Sequence, residues 1–141
     1  MGAVDFEEWA APTLDVTLGG RTFVVQPPSV DAMKKVLAAA ARAEINLGIV
    51  PADQVPDGFL DVLESIGPDE HPALGATWDE MVEARLPQFT IDRIAYYAVF
   101  YWARGKAYAD WIAVQLWAPR ELGADDGDKG GDASPKARPS P

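Results

Sequence analysis

The stretch "LDVTLGGRTFVVQPPS", Leu14 to Ser29, decides the reading of the fold. Two runs rich in β-branched and aromatic residues flank Gly19-Gly20, the sequence of a two-residue hairpin turn whose central residues need positive φ. With those glycines as the loop, Leu18 faces Arg21, Val16 faces Phe23 and Leu14 faces Val25. Side chains alternate along a strand. One side of the ribbon is therefore apolar, while Asp15, Thr17 and Thr22 point the other way, with Val24 out of place among them. A lone two-stranded ribbon is marginal in water and needs a surface to lie on. Pro27-Pro28 stops the second strand, and Ser29 is placed to cap a helix.

Outward from the hairpin, the chain reads as helix. On the N-terminal side, Phe6 and Trp9 stand three apart in an acidic setting and are expected to form one turn that packs on the hairpin. On the C-terminal side, Ser29 to Leu47 carries apolar residues at a roughly helical period, Val30, Met33, Val36, Leu37, Ala40 and Leu47, with Gly48 as the stop. "IVPADQVPDG" is a turn-rich connector. Phe59 to Ile66 is a short helix with Phe59, Leu60, Leu63 and Ile66 inward. "GPDEHPALGA" is a second connector. Thr77-Trp78-Asp79-Glu80 fits a capping box, with Thr77 at the N-cap. Pro87 should end that helix near Leu86. A last helix runs from about Thr90, its expected cap, to Trp117, with Gly105 as a point of fracture. The fold class is mainly α with a small N-terminal β-hairpin (α+β). It is one helical domain over residues 1–119, followed by an acidic, Pro- and Gly-rich tail over residues 120–141. That tail has one large apolar residue, Leu122, too little to offset its ordering entropy, and is expected to be disordered.

Composition excludes several functions. The 141 residues carry a formal charge of −10, which argues against nucleic acid, since phosphate binding needs clustered Lys and Arg. There is no cysteine, hence no disulfide framework, zinc-thiolate site or thiol nucleophile. The acidic start, "MGAVDFEEWAAP", lacks the basic region and apolar core of a signal peptide, and Phe6 stands where a myristoylation pattern wants Ser or Thr. The longest apolar run, Ile94 to Ala103, is half of the roughly 20 residues a membrane span requires. A soluble intracellular protein is expected.

No motif points to catalysis, a cofactor or a metal. His71 is the sole histidine and sits in a polar connector, where a solvated loop residue is expected. No two carboxylates stand in an apolar setting as a glycosidase pair would. "ADDGDKGGD" in the tail lacks the bidentate acid that closes a Ca²⁺ loop. The informative segment is "RIAYYAVFYWARGKAYADWIAVQLW", residues 93–117, which holds eight of the fourteen aromatic residues. Projected on one straight helix, Tyr96, Phe100 and Trp111 fall on the arc that also carries Arg93 and Arg104. Tyr, Trp and Arg dominate interface hot spots. The segment reads either as a central core helix with tyrosines at its rim or as an aromatic strip that meets a partner, and in the second reading Tyr96, Phe100, Trp111, Arg93 and Arg104 are the candidate partner-binding residues.

The order of these elements resembles the tail assembly chaperones of long-tailed phages that infect actinobacteria. The resemblance rests on the acidic aromatic start "DFEEWAAPTLDV" and the hairpin "LGGRTFVVQPPS" leading into a helix. The block "TWDEMVEARLPQFTIDRIAYYAVFYWARGKA" and a polar tail complete it. It implies a non-enzymatic protein of the host cell cytoplasm, absent from the mature virion. Its client would be the tape measure protein, kept soluble during tail tube assembly, with the tail tube protein and self-association as further candidate contacts. It also implies a longer product made by −1 ribosomal frameshifting near the end of the reading frame. Ser134-Pro135-Lys136 can be encoded as UCC CCA AAG, which contains a slippery heptamer, and Lys129-Gly130-Gly131 and Arg104-Gly105-Lys106 permit others. The hairpin is then expected to act as a lid on the helices, its outer edge available to a strand of another copy. The acidic body would help keep an aggregation-prone client in solution. The alternative is a non-enzymatic interaction module of a phage or mobile element, regulatory or antitoxin-like.

Overall fold

Gly19 and Gly20 take φ of +61° and +81°, the pair of positive values that a tight primed turn demands. They join β1 (Leu14–Leu18) to β2 (Arg21–Val25) in the expected antiparallel register, Leu14 opposite Val25, Val16 opposite Phe23 and Leu18 opposite Arg21. The computed structural model describes residues 3–55 and 57–118. Among the described residues five helices follow the hairpin: α1 (Val30–Asn46), α2 (Phe59–Glu64), α3 (Thr77–Glu83), α4 (Gln88–Arg104) and α5 (Lys106–Trp117). The chain is thus mainly helical with an N-terminal hairpin. It divides into two units, Met1–Ala109 and Asp110–Pro141. The tail expected over residues 120–141 lies outside the described residues.

The inner face of the hairpin is the floor of the core. Leu14, Phe23 and Val25 are buried in one cluster with Val36 of α1, Ala73 and Leu74, Met81 of α3, and Ile91 and Ala98 of α4. Burying side chains of this size contributes about 1.5–3 kcal/mol each, which a ribbon alone could not supply. On the outer face, Thr17 and Thr22 hydrogen-bond across the strands at 3.0 Å, and Val24 stays exposed. The Arg21 guanidinium lies over the Phe23 ring, 4.4 Å from its centre.

Ser29 caps α1 as expected: its hydroxyl oxygen accepts from the Ala32 amide at 3.2 Å. The inward face of that helix differs from expectation. Val30 and Leu37 are exposed, and Val36, Ala38, Ala40, Ala43 and Glu44 are the buried residues. In α2, Leu60 also points outward.

Thr77 is not an N-cap. Ala76 holds that place, and Thr77 is the first helical residue, buried, its hydroxyl donating to the Val24 carbonyl at 3.1 Å. It thereby occupies one backbone acceptor of the β2 edge and fastens α3 to the hairpin. The helix ends at Glu83, where Arg85 takes a positive φ of 61°, two residues before Pro87 acts. Pro87, not Thr90, is the N-cap of α4.

Part of the segment "HPALG" is core. Ala73 and Leu74 are buried, and the Trp102 indole N–H donates to the Ala73 carbonyl at 2.9 Å. His71 is half-buried and stacked flat on Trp78, centroids 3.5 Å apart, not a freely solvated side chain. Its connector is tied to α1 by the Lys35–Glu70 ion pair at 2.6 Å.

The last helix is fractured at Gly105, whose φ of +100° and ψ of 165° separate α4 from α5. That combination is essentially restricted to glycine. A Cβ there would meet nothing within 4 Å, so an added methyl is opposed by backbone strain alone. Gly105→Ala should lower the unfolding free energy by about 1–3 kcal/mol, measured by urea denaturation. An unchanged midpoint would show that the break relaxes into continuous helix without cost.

Candidate partner-binding groove

The run "LAAAARA", Leu37 to Ala43, puts small side chains on successive turns of α1. Small residues leave room beside a helix axis, and α2 and α4 do not fill it. The result is an open groove of about 460 Å³. Ala39, Arg42, Ala43 and Asn46 of α1 form one wall, Leu63 and Ile66 the second, and Tyr96 and Val99 of α4 the third. A neighbouring depression of about 380 Å³ shares Arg42, Asn46 and Leu63 and reaches Phe59 and Leu60. Arg42 is the single charged residue of the first groove, and among the described residues no carboxylate forms an ion pair with it. The volume is in the range of about 300–1,000 Å³ typical of small binding sites. The chemistry is apolar with one fixed cation at the rim.

The five candidate residues have separate fates. Tyr96 lines the groove, half-buried, its hydroxyl pKa raised by burial. Arg93 is exposed on α4. Phe100 is 0% exposed, its ring against Tyr96 at 5.3 Å and Tyr108 at 5.7 Å, and so offers nothing to a partner. Arg104 is turned inward: its Nε and Nη2 donate to the two carboxylate oxygens of buried Glu44 at 3.0 and 2.8 Å. Trp111, 49% exposed, belongs to the second unit. One straight helix was the premise that joined them. Helix α4 ends at Gly105, before Trp111 is reached, and Glu44 draws Phe100 and Arg104 at the end of the arc inward.

Glu44, Arg104 and Tyr108 form a polar knot beside Phe100. The Tyr108 hydroxyl donates to Glu44 at 2.7 Å. The Arg104 hydrogen bonds hold the Glu44 carboxyl below the usual carboxylate range, against the opposing effect of burial, and the Tyr108 hydrogen bond adds to them. Burial first, then the bond to Glu44, pushes the Tyr108 phenol up to about 12. This ion pair ties α1 to the end of α4 and, through Tyr108, to the first turn of α5. Among the described residues, no three His, Asp or Glu side chains gather as a metal would require, and no helix is long and apolar enough to cross a membrane.

Sequence reasoning missed the groove. Its only signal was the alanine run of α1, which fits a close helix contact equally well. It also misplaced the N-terminal aromatics. Glu7–Trp9 form a 3-10 turn in which Phe6 and Trp9 touch edge to face at 5.6 Å. They remain 62% and 65% exposed and do not pack on the hairpin.

The family model described as "Domain of unknown function (DUF7426)" matches residues 4–141, and the chain belongs to that family. No curated protein and no solved structure matches it.

Proposed function

We propose that the protein is a tail assembly chaperone of a long-tailed phage. It binds the tape measure protein in the host cell cytoplasm, keeps it soluble while the tail tube assembles, and is left out of the mature virion. It acts without catalysis or cofactor. The observation that supports this reading is the open groove between α1, α2 and α4, with Ala39, Leu63 and Val99 as its apolar walls and Arg42 at its rim. An amphipathic helix lays its apolar face into such a groove, and a long helical client would present many such faces in turn. The net charge of −10 keeps the complex in solution. A frameshift within residues 120–141 would leave residues 1–119 unchanged and append a second segment to them.

Two measurements test this. The gene should lie between a tail tube gene and a very long tape measure gene, with a slippery heptamer in the codons for residues 120–141. On co-expression, the neighbouring tape measure protein should be soluble and co-purify with the chaperone. Ala39→Arg, which fills the groove, should cut that recovery by about 10-fold or more with unchanged circular dichroism. Absence of such a neighbour, with no capture of a tape measure protein, would sink the assignment and favour the regulatory or antitoxin-like module.

A further inference from the structure

The N-terminal arm and the groove are complementary, and in the single chain neither is covered by the other. The arm presents Phe6 and Trp9 as an edge-to-face pair on one turn, with Val4 also exposed beside them. Exposed aromatic pairs are uncommon outside binding surfaces, because each ring forgoes about 1.5–3 kcal/mol of burial. The pair is flanked by Asp5 and Glu7, and the Asp5 carboxylate accepts from the Glu7 amide at 3.1 Å, which holds the turn in shape. The groove has the opposite character: apolar walls around about 460 Å³, no acidic residue in its lining, and Arg42 as its only charge, with Glu64 the one acid of the adjoining depression.

We infer that the groove of one copy receives Phe6 and Trp9 from the N-terminal arm of a second copy, with Asp5 or Glu7 of the arm pairing with Arg42. Three observations favour a second copy as the occupant. The arm does not seat in its own groove, since both rings stay mostly exposed. The signs of charge match at the one place where the groove is charged. Each copy carries one arm and one groove, so a two-fold exchange satisfies both at once and closes without propagating. Two rings and one ion pair make a small interface, of the weak and reversible class. Such an interface covers the groove before a client arrives and yields to it afterwards. The inference rests on the arm and the groove, and not on the identity of the client.

The test uses the full chain alone, by sedimentation velocity and light scattering at roughly 10–500 µM, where small interfaces associate. The wild type should show a concentration-dependent monomer–dimer equilibrium. Phe6→Ala with Trp9→Ala should weaken it by at least about 30-fold. Both rings are exposed, so the circular dichroism and thermal midpoint of this variant should match the wild type. Arg42→Glu should weaken dimerisation by roughly 5- to 10-fold, and combining it with Glu7→Lys, which keeps the Asp5 carboxylate that holds the turn, should restore it. A wild type that stays monomeric throughout, an arm variant that dimerises as before, or a charge swap that rescues nothing would overturn the inference. A chaperone that loses dimerisation yet still captures tape measure protein would separate this device from the client reading.

Discussion

Phe100→Ala should lower the unfolding free energy by about 3–5 kcal/mol, the cost of removing a fully buried ring from packing that cannot close over the space. Phe100 has no exposed surface and touches Tyr96 on its own helix and Tyr108 after the break. Its loss would empty the space beside Glu44's ion pair and the floor on which Tyr96 rests at the groove. A domain of this size is stable by about 5–15 kcal/mol, so a substantial part of the margin disappears, and the thermal midpoint should fall by roughly 10–20 °C. Urea denaturation followed by circular dichroism gives the free energy directly. Phe89→Ala, the same truncation at an 81% exposed site on the same helix, is the control and should change it by less than about 0.5 kcal/mol. A loss below about 1 kcal/mol for Phe100→Ala would mean that the ring is not packed as described, and would return it to the list of partner-binding residues.

The contrast between Phe100 and the hairpin shows what the sequence could reveal. The hairpin was legible because two constraints agree there: Gly19-Gly20 fix the register, and alternation then assigns every side chain to a face. The resulting set, Leu14, Phe23 and Val25 inward with Thr17 and Thr22 outward, matches the structure. Helix α4 offered only one constraint, its period, and a period says which residues share a face but not which way the face looks. Charges usually answer that question, because an exposed arc is where charges belong. Here Arg104 points to Glu44 on α1, so the arc turns inward at its C-terminal end, and Phe100, four residues earlier on the same face, goes in with it while Arg93 stays exposed. Glu44 itself gave no sign, being one acid among many. The capping box at Thr77 failed for a related reason. A threonine three residues before a glutamate fits a cap, but the hydroxyl found a long-range partner in the Val24 carbonyl. "HPALG" reads as a connector by composition, and its burial depends on Trp102, twenty-eight residues beyond Leu74 and invisible to local reasoning. The groove was least legible of all. It consists of space left by alanines, and a sequence does not show what fails to fill a space.

Arg104→Ala should be nearly as damaging as the loss of Phe100, and its effect should depend on pH in a way that identifies the partner. The variant strips two hydrogen bonds from a carboxylate whose residue is buried, and leaves only the Tyr108 hydroxyl on it. Breaking one side of a buried pair costs about 3–5 kcal/mol, reduced here to roughly 2–4 because the guanidinium is partly solvated. The Arg104 side chain is 34% exposed and Glu44's is 6%, so the unpaired carboxylate, not the missing cation, sets the penalty. In the wild type the Glu44 carboxyl lies below its ordinary value of 4.5. The folded state then binds fewer protons than the unfolded state as pH falls below that value. The stability this pair provides is complete above pH 4.5 and is lost as pH drops through the lowered folded pKa. In Arg104→Ala, burial acts on Glu44 with little to oppose it, and the carboxyl should titrate above its ordinary value. Protonation then relieves the variant just where it harms the wild type. The gap in unfolding free energy between the two proteins should be widest at neutral pH and narrow steadily on acidification through pH 4.5. Other titrating carboxylates, Glu70 beside Lys35 among them, are common to both proteins and cancel in the difference. At the alkaline end, Tyr108 works with the opposite sign. Its phenol is raised from 10 to about 12 in the folded state, so the stability it provides is complete below pH 10 and is lost as pH rises toward 12. Tyr108→Phe should abolish that alkaline loss while leaving the acid limb in place. Parallel pH–stability curves for wild type and Arg104→Ala, with a constant gap between them, would show that Glu44 is not the group that Arg104 holds.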